Sequence, residues 1–174
     1  MGRTLLLTGR PGVGKTTILK KACKAFGDRA VGFYTEEIRT SDGRRAGFRL
    51  VTTTGEETVM AHTDLCCEGR PRVSRYGVDI RAIEEVGVVA LRRTVASNGV
   101  VIVDEIGKME LFSQAFRDAV LDAVEGELPV LGTVMSGHHP WVDKVKGKEQ
   151  VEVWEVTMSN RADLLDRIQQ WMMR

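Results

Sequence analysis

The first residues that could do chemistry form the stretch Gly9-Arg10-Pro11-Gly12-Val13-Gly14-Lys15-Thr16, which matches the phosphate-binding loop pattern G-x-x-x-x-G-K-[ST]. Its glycines let the backbone turn tightly and bring successive N–H groups to phosphate oxygens. The Lys15 ammonium can bind the β and γ phosphates, and the Thr16 hydroxyl can bind a magnesium ion. The residues predicted to bind a nucleotide are Gly9, Arg10, Pro11, Gly12, Val13, Gly14, Lys15, Thr16 and Thr17.

A pair of acidic residues, Asp104–Glu105, is the second candidate for chemistry. It follows the run Val100-Val101-Ile102-Val103, which is typical of a strand covered on both faces of a parallel sheet. An acid at the carboxyl end of such a strand can hold Mg²⁺, usually through its water shell, so we assign Asp104 and Thr16 to the metal. Glu105 is placed to deprotonate an attacking water, and Lys15 completes the catalytic set, because phosphoryl transfer needs mainly positioning and charge stabilisation. The alternative is an ordinary strand end with two solvated acids.

Other charged and polar residues are weaker candidates for the same site. Glu36 and Glu37 are rival acids, but strand alternation puts them on opposite faces, so at most one would face a site. A further cation would stabilise the charge that develops on the transferred group. The candidate cations are Arg39, Arg44, Arg45, Arg75, Lys144 and Lys146, each of which is more commonly a solvated surface charge. Thr133 either contacts the γ-phosphate or packs in the core. His138 and His139 are either ordinary loop residues or contacts to the substrate.

The composition bounds the class of protein. The 174 residues suffice for one domain with a substantial core, and they are 43% hydrophobic and 28% charged with a formal net charge of +1. This near-neutral charge argues against a general nucleic-acid or membrane-surface partner. No apolar run reaches membrane-spanning length, and we expect no signal peptide, a monomer and a cytoplasmic location. Cys23, Cys66 and Cys67 form no C-x-x-C pair, which argues against a thiolate metal site and suits a reducing compartment.

The phosphate loop needs a strand before it and a helix after it, and the flanking sequence predicts both. Residues 3–8 form a short run of strand length, and apolar residues recur at helical spacing until Gly27 ends the pattern. Residues 31–62 then read as three strands, 31–39, 46–53 and 57–61, joined by short turns. Because short turns imply antiparallel pairing, we predict a β-meander inserted into an α/β fold.

The second half of the chain alternates helices and strands. The predicted elements are a loop over 63–77, a helix over 80–96 capped by Asp79, a strand over 100–103, a helix from Ser113 to Gly126, a strand over 130–134, a polar lid-like loop over 136–149 and a strand over 150–156. A last helix, capped at Ser159 or Asn160, would bury Leu164, Leu165, Ile168, Trp171 and Met172. We therefore expect residues 1–174 to form a single domain.

Several stretches make the chain resemble the cancer-related nucleoside-triphosphatase family of small P-loop proteins. They are the phosphate loop, Gly32-Phe33-Tyr34-Thr35-Glu36-Glu37-Ile38-Arg39, Tyr76-Gly77-Val78-Asp79, Val103–Phe112 and the pair Asn160-Arg161. The resemblance runs over nearly the whole chain and implies a P-loop NTPase fold with a RecA-like, mixed and mostly parallel sheet flanked by helices. It also implies slow, Mg²⁺-dependent hydrolysis of ATP, GTP and other nucleoside triphosphates, with Gly9–Thr16 on the phosphates, Asp104 on the metal and Glu105 as base.

Two other functions stay open beside hydrolysis to the nucleoside diphosphate and phosphate. A nucleotide or small-molecule kinase would share the size and fold class, although residues 136–149 lack the arginine of a mobile kinase lid. An NTP-gated nucleic-acid-binding switch is favoured by the arginines between residues 39 and 75, but the net charge and the lack of a nucleic-acid motif oppose it. A phosphate loop does not read the base, so the sequence predicts no base preference.

Overall fold

The computed structural model describes residues 2–93 and 98–173 of the chain. The strands are β1 Thr4–Thr8, β2 Ala30–Arg39, β3 Arg45–Thr52, β4 Glu57–His62, β5 Arg72–Val73, β6 Tyr76–Val78, β7 Val100–Ile106, β8 Val130–Val134 and β9 Val151–Glu155. The helices are α1 Lys15–Phe26, α2 (80–91), α3 Gln114–Glu125, α4 Pro140–Lys146 and α5 Leu164–Met172. Helix α2 is π-helical over Ile83–Val88, and short 3₁₀ turns lie at Gly27–Arg29, Thr63–Leu65 and Glu110–Phe112.

These strands form one mixed sheet in the order β5-β6-β4-β3-β2-β7-β8-β1-β9. From β2 to β9 every neighbouring pair is parallel, whereas β3, β4, β6 and β5 extend the sheet with antiparallel pairs. Parallel neighbours require crossover connections, which the helices supply, and short turns join the antiparallel strands. The predicted α/β fold with an inserted antiparallel meander is confirmed.

Helices cover the parallel part of the sheet on both faces, and β1 shows how its side chains alternate. Leu5 and Leu7 pack in one apolar cluster with residues of α1 and α5. Leu6, between them, lies in the other cluster with residues of α2, α3 and α4. Because side chains of a strand alternate between faces, a strand buried on both sides must be apolar throughout.

Strand β2 changes partners part-way along its length, and this change creates an opening in the sheet. It pairs with β7 from Ala30 to Phe33 and with β3 from Phe33 to Arg39. Gly32 permits the close approach to β7, because its φ is 117° and a Cβ there would lie 2.0 Å from the Ile102 carbonyl oxygen. Beyond Phe33, the edge of β2 that faces β7 is unpaired in this register, at the carboxyl end of β7.

Two predicted loops contain regular structure. The segment 63–77 contains the Thr63–Leu65 turn and the hairpin of β5 and β6, whose strands of two and three residues are too short to show a period. The predicted polar loop over 136–149 is wrong in part, because α4 spans Pro140–Lys146. That helix buries Val142 and Val145, whose i, i+3 spacing is hard to see among the polar neighbours.

Two helix ends also differ from the prediction. The last helix begins at Leu164 after Asp163, so neither Ser159 nor Asn160 caps it. Asn160 instead accepts a hydrogen bond from the Thr157 N–H at 2.9 Å and donates one to the Glu155 carbonyl at 2.8 Å. The predicted helix over 80–96 is observed to residue 91, and residues 94–96 lie outside the described part of the chain. In the part of the chain that the structure describes, no helix is long and apolar enough to cross a membrane.

Candidate active site

The phosphate loop connects β1 to α1, as its sequence predicts. Gly9 has a φ of 143°, and a Cβ there would lie 2.6 Å from the Val156 carbonyl oxygen, so the loop can follow this path only with glycine. The Lys15 Nζ donates to the carbonyl oxygens of Gly9 at 2.9 Å and Arg10 at 3.3 Å. Helix α1 starts after Gly14, which has no side chain to cap its first N–H groups, and these groups suit an anion.

Asp104 is the centre of a buried hydrogen-bond network that ties three other elements to the end of β7. Its carboxylate is fully buried. The hydroxyls of Thr16 and Thr133 donate to Asp104 Oδ1 at 3.2 Å and 2.5 Å. The N–H and hydroxyl of Thr35 both donate to Asp104 Oδ2 at 3.1 Å. Since a buried charge must be hydrogen-bonded, this network holds the phosphate loop, β2, β7 and β8 in one arrangement.

Glu105 lies beside this network and faces an open cleft. The cleft has a volume of about 530 Å³, and Lys15, Thr16, Thr35 and Glu105 all line it. Burial raises the pKa of the Glu105 carboxyl above its ordinary value, the charge of Asp104 adds to the rise, and Lys15 opposes it. A carboxylate with a raised pKa is a stronger base, which suits the abstraction of a proton from water.

The rival acids Glu36 and Glu37 both line the same cleft. The expectation that at most one of them would face a site is therefore wrong: both residues line the cleft, in the part of β2 beyond its pairing with β7. Glu36 forms ion pairs with Lys20 and with Arg49, the latter at 2.6 Å. The hydrogen bond from Lys20 is the main cause that lowers the pKa of Glu36. Neutralised in this way, Glu36 is a weaker base than Glu105.

The structure brings one of the six candidate cations to the cleft. Arg45 lines it and forms an ion pair with Glu37 at 2.5 Å, and the buried Arg45 Nε has no hydrogen-bond partner. The other candidates have different contacts. Arg39 pairs with Glu37, Arg44 with Asp42, Arg75 donates to the Arg45 carbonyl and Lys146 to the Met135 carbonyl, and Lys144 is exposed.

Three further candidates lie away from the cleft or serve the network. Thr133 contacts Asp104 and is fully buried. The His138 side chain lies next to the Asp143 carboxylate in the first turn of α4, and His139 lines a separate cavity with Arg72. Lys15, Thr16, Asp104 and Glu105 are thus brought together, whereas the two histidines are not.

Sequence reasoning missed Thr35, Glu110 and the position of Arg161. Thr35 lies within the family-like stretch Gly32–Arg39, but the residue with which it forms hydrogen bonds, Asp104, is 69 positions away along the chain. Glu110 is 4% exposed, and burial raises the pKa of its carboxyl to about 8. Arg161 lies against the phosphate loop, since a Cβ on Gly14 would be 4.0 Å from Arg161 Cδ. Only the family-like stretches around these residues signalled them.

The donor atoms at the end of the loop fit a hard cation such as Mg²⁺. The Thr16 hydroxyl directs its proton to Asp104, which leaves its oxygen lone pairs able to bind a metal. Both Asp104 oxygens already accept two hydrogen bonds, so this carboxylate suits contact through water. Mg²⁺ keeps several of its waters in proteins, which agrees with that arrangement.

Comparison with known proteins supplies the family. The chain matches the NTPase family model over residues 4–169. It is 43% identical over 164 residues to nucleoside-triphosphatase THEP1 of Thermotoga sp. strain RQ2, an alignment that covers 94% of this chain and 92% of that relative. The chain belongs to the NTPase family.

Solved structures of NTPase-family proteins share the whole fold. The crystal structure of THEP1 from Aquifex aeolicus superposes with a TM-score of 0.88 at 35% identity, over 98% of this chain and 99% of that one. The solution structure of a human cancer-related nucleoside triphosphatase superposes with a TM-score of 0.82 at 38% identity, over 98% and 97%. Membership of the NTPase family confirms the predicted resemblance, the P-loop NTPase fold and the assignment to nucleoside-triphosphatases, which are hydrolases.

Proposed function

We propose that this protein hydrolyses nucleoside triphosphates, ATP and GTP among them, to the nucleoside diphosphate and phosphate with Mg²⁺. The observation that carries the proposal is that Lys15, Thr16 and Glu105 line one cleft, while the buried Asp104 accepts a hydrogen bond from the Thr16 hydroxyl. A phosphate cradle, a hard-metal site and a base beside each other are a sufficient set for attack of water on a γ-phosphate.

In the proposed mechanism the phosphate loop binds and orients the triphosphate. Residues 9–17 present backbone N–H groups, and Lys15 places its charge against the β and γ phosphates. Thr16 and Asp104 would hold the metal, and Asp104 orients the Thr16 hydroxyl by accepting its hydrogen bond. Mg²⁺, when bound, offsets the negative charge on the phosphate oxygens. The hydrogen bonds from Thr35 and Thr133 keep Asp104 in place, and these neutral donors leave the negative charge of its carboxylate available to the metal.

Glu105 and Arg45 act on the far side of the γ-phosphate in this mechanism. Glu105 takes the proton of the attacking water, for which its raised pKa suits it. Arg45, on the cleft wall, stabilises the charge that develops on the transferred group. The bond between the β,γ-bridging oxygen and the γ-phosphorus breaks, and the nucleoside diphosphate leaves.

The arginines considered for nucleic-acid binding are largely neutralised, which disfavours that function. Arg39 and Arg45 pair with Glu37, Arg49 with Glu36, and Arg70 with Asp79. We further propose that the protein is a cytoplasmic monomer that binds no membrane. The exposed free thiols of Cys66 and Cys67 suit a reducing compartment.

The test is release of phosphate from ATP and GTP by the purified protein with Mg²⁺. We expect release that stops on chelation of the metal and falls by about 10²-fold or more in Lys15→Ala, because one preorganised cation on the transferring group is lost. Lys21→Ala, an exposed lysine on the same helix, is the matched control and retains the parent rate. Equal rates for the parent and Lys15→Ala would contradict the proposal.

A further inference from the structure

A second cavity opens beside Glu105. It has a volume of about 190 Å³ and shares Thr35, Phe48 and Glu105 with the nucleotide cleft. Its remaining walls are Met60, Val73, Gly107, Lys108, Met109 and Glu110. We call this space the Glu105–Glu110 pocket. Glu105 therefore stands at the junction of the two cavities.

The position of the pocket matters because a phosphoryl group is attacked in line, from the side opposite its leaving group. If Glu105 is the base, the attacking hydroxyl must be in contact with it. The pocket volume of about 190 Å³ is much larger than the one water that hydrolysis needs, since a cavity of about 10–15 Å³ can hold a water.

The walls of the pocket are those of a site for a small organic molecule. Phe48, Met60, Val73 and Met109 give it a mostly apolar lining. The carboxyl groups of Glu105 and Glu110 lie near Gly107 in the remaining part of the lining. A Cβ on Gly107 would lie 3.3 Å from Glu110 Oε2 and 3.5 Å from Glu105 Cδ, so both groups approach the same point.

The charges around the pocket select the class of molecule. The titratable groups that line it are Glu105, Glu110 and the exposed Lys108. Glu110 is 4% exposed and, being buried, is held in its neutral acid form, which both donates and accepts hydrogen bonds. Glu105 and a neighbouring triphosphate would repel an anion. An uncharged alcohol with an apolar body about the size of one ring fits these conditions.

We propose that the Glu105–Glu110 pocket is a second-substrate site for small uncharged alcohols, so that the γ-phosphoryl group can pass to an alcohol as well as to water. This inference rests on the proposed function, because it uses the same nucleotide cleft and base. The alcohol gives its proton to Glu105 and its oxygen bonds to the γ-phosphorus. The bond to the β,γ-bridging oxygen breaks with its electron pair on the nucleoside diphosphate, and Glu105 later releases the proton to solvent.

The experiment compares the amount of ADP with the amount of phosphate that the protein forms from ATP in the presence of an alcohol. The protein is incubated with γ-labelled ATP, Mg²⁺ and benzyl alcohol, 3-pyridylmethanol or 2-phenylethanol, and ADP, phosphate and phosphorylated alcohol are quantified. We expect ADP to exceed phosphate with at least one alcohol, by an amount equal to the phosphorylated product. Equal ADP and phosphate with all three alcohols would overturn the inference and leave the proposed hydrolysis standing. If neither phosphate nor phosphorylated alcohol is formed, the inference and the proposed function are both overturned.

Variants of the pocket then locate the transfer. Met109→Trp and Val73→Phe each enlarge a half-buried side chain that lines the pocket, so one of them suffices if the other fails to fold. The excess of ADP over phosphate disappears in these variants. Met158→Trp makes the same substitution at a residue that is 68% exposed and outside both cavities, and it keeps the excess. An excess that survives both pocket variants would place transfer elsewhere and refute the inference.

Discussion

Two acidic pairs differ in their surroundings at the nucleotide cleft. In the pair Asp104–Glu105 at the end of β7, Glu105 lines the cleft and Asp104 is fully buried, whereas both Glu36 and Glu37 on β2 line the cleft. Hydrogen bonds from threonines hold Asp104, and burial raises the pKa of Glu105. Lysine and arginine side chains neutralise the β2 pair, and the Lys20 hydrogen bond lowers the pKa of Glu36. Two acids that line one cleft thus have pKa values shifted in opposite directions, because desolvation raises the pKa of Glu105 and paired cations lower that of Glu36.

The sharpest test of this difference is to neutralise one acid from each pair. Glu105→Gln removes the proposed base, and we expect kcat to fall by about 10²- to 10⁴-fold, the usual contribution of general-base catalysis. Glu36→Gln removes an acid that is already ion-paired, so its kcat stays close to that of the parent. Steady-state phosphate release measures both. Equal losses in the two variants would remove the distinction between the pairs.

The second test extends the comparison to Glu110, a buried acid that lies beside Glu105. Its folded-state pKa of about 8 lies above the ordinary value of 4.5, so the folded state binds the proton more tightly. Its contribution to stability is fully present below pH 4.5 and is lost as the pH rises toward 8. Between pH 5.5 and 8 the free energy of unfolding should fall by on the order of 3 kcal/mol from this group.

Glu110→Gln keeps the shape of that side chain and removes the titration. We expect urea unfolding of the variant to show a flatter dependence on pH than the parent. Glu85→Gln, at an exposed position of α2, serves as control and retains the parent slope. Parallel pH profiles for the parent and Glu110→Gln would show that Glu110 titrates normally in the folded protein.

The third test compares two arginines of β3 that face different acids. Arg45 pairs with Glu37 through its terminal nitrogen but lines the cleft and has a buried Nε without a hydrogen-bond partner, whereas Arg49 pairs with both Glu36 and Glu57. We expect Arg45→Gln to lower kcat by about 10²-fold, as for the loss of one preorganised donor to the transition state. Arg49→Gln changes kcat little. The ratio of the two rates, measured at saturating ATP, decides the outcome, and a ratio near one contradicts the proposed role of Arg45.

The smallest effect is expected at the ion pair of Lys20 and Glu36. Their side chains are 32% and 24% exposed, so solvent screens the attraction. Lys20→Met should lower the free energy of unfolding by less than about 1 kcal/mol. The difference should shrink further in 1 M salt, where the Debye length is about 3 Å. Denaturant titrations at low and high salt test this, and a large, salt-independent loss would mean that the pair is effectively buried.

Much of the fold could be predicted because its signals are local. The strand, glycine-rich turn and helix around the phosphate loop are contiguous, and the β-branched run of β7 marks a strand buried on both faces. Helix α4 was missed because it has two buried apolar residues, and the β5–β6 hairpin was missed because its strands have only two and three residues. Short elements carry too little periodicity to be recognised, and tertiary packing stabilises them.

The candidate site divides in the same way. Residue types and spacing alone predicted Lys15 and Thr16 in the loop and the Asp104–Glu105 pair, because a phosphate cradle and a strand-end acid are properties of short segments. The sequence could not predict that Thr35 would hold Asp104 from 69 positions away, that Arg45 would reach the cleft, or that Glu110 would be buried beside Glu105. Only the tertiary structure decides these features, since the basicity and pairing of a charged group depend on its desolvation and on its distance from other charges.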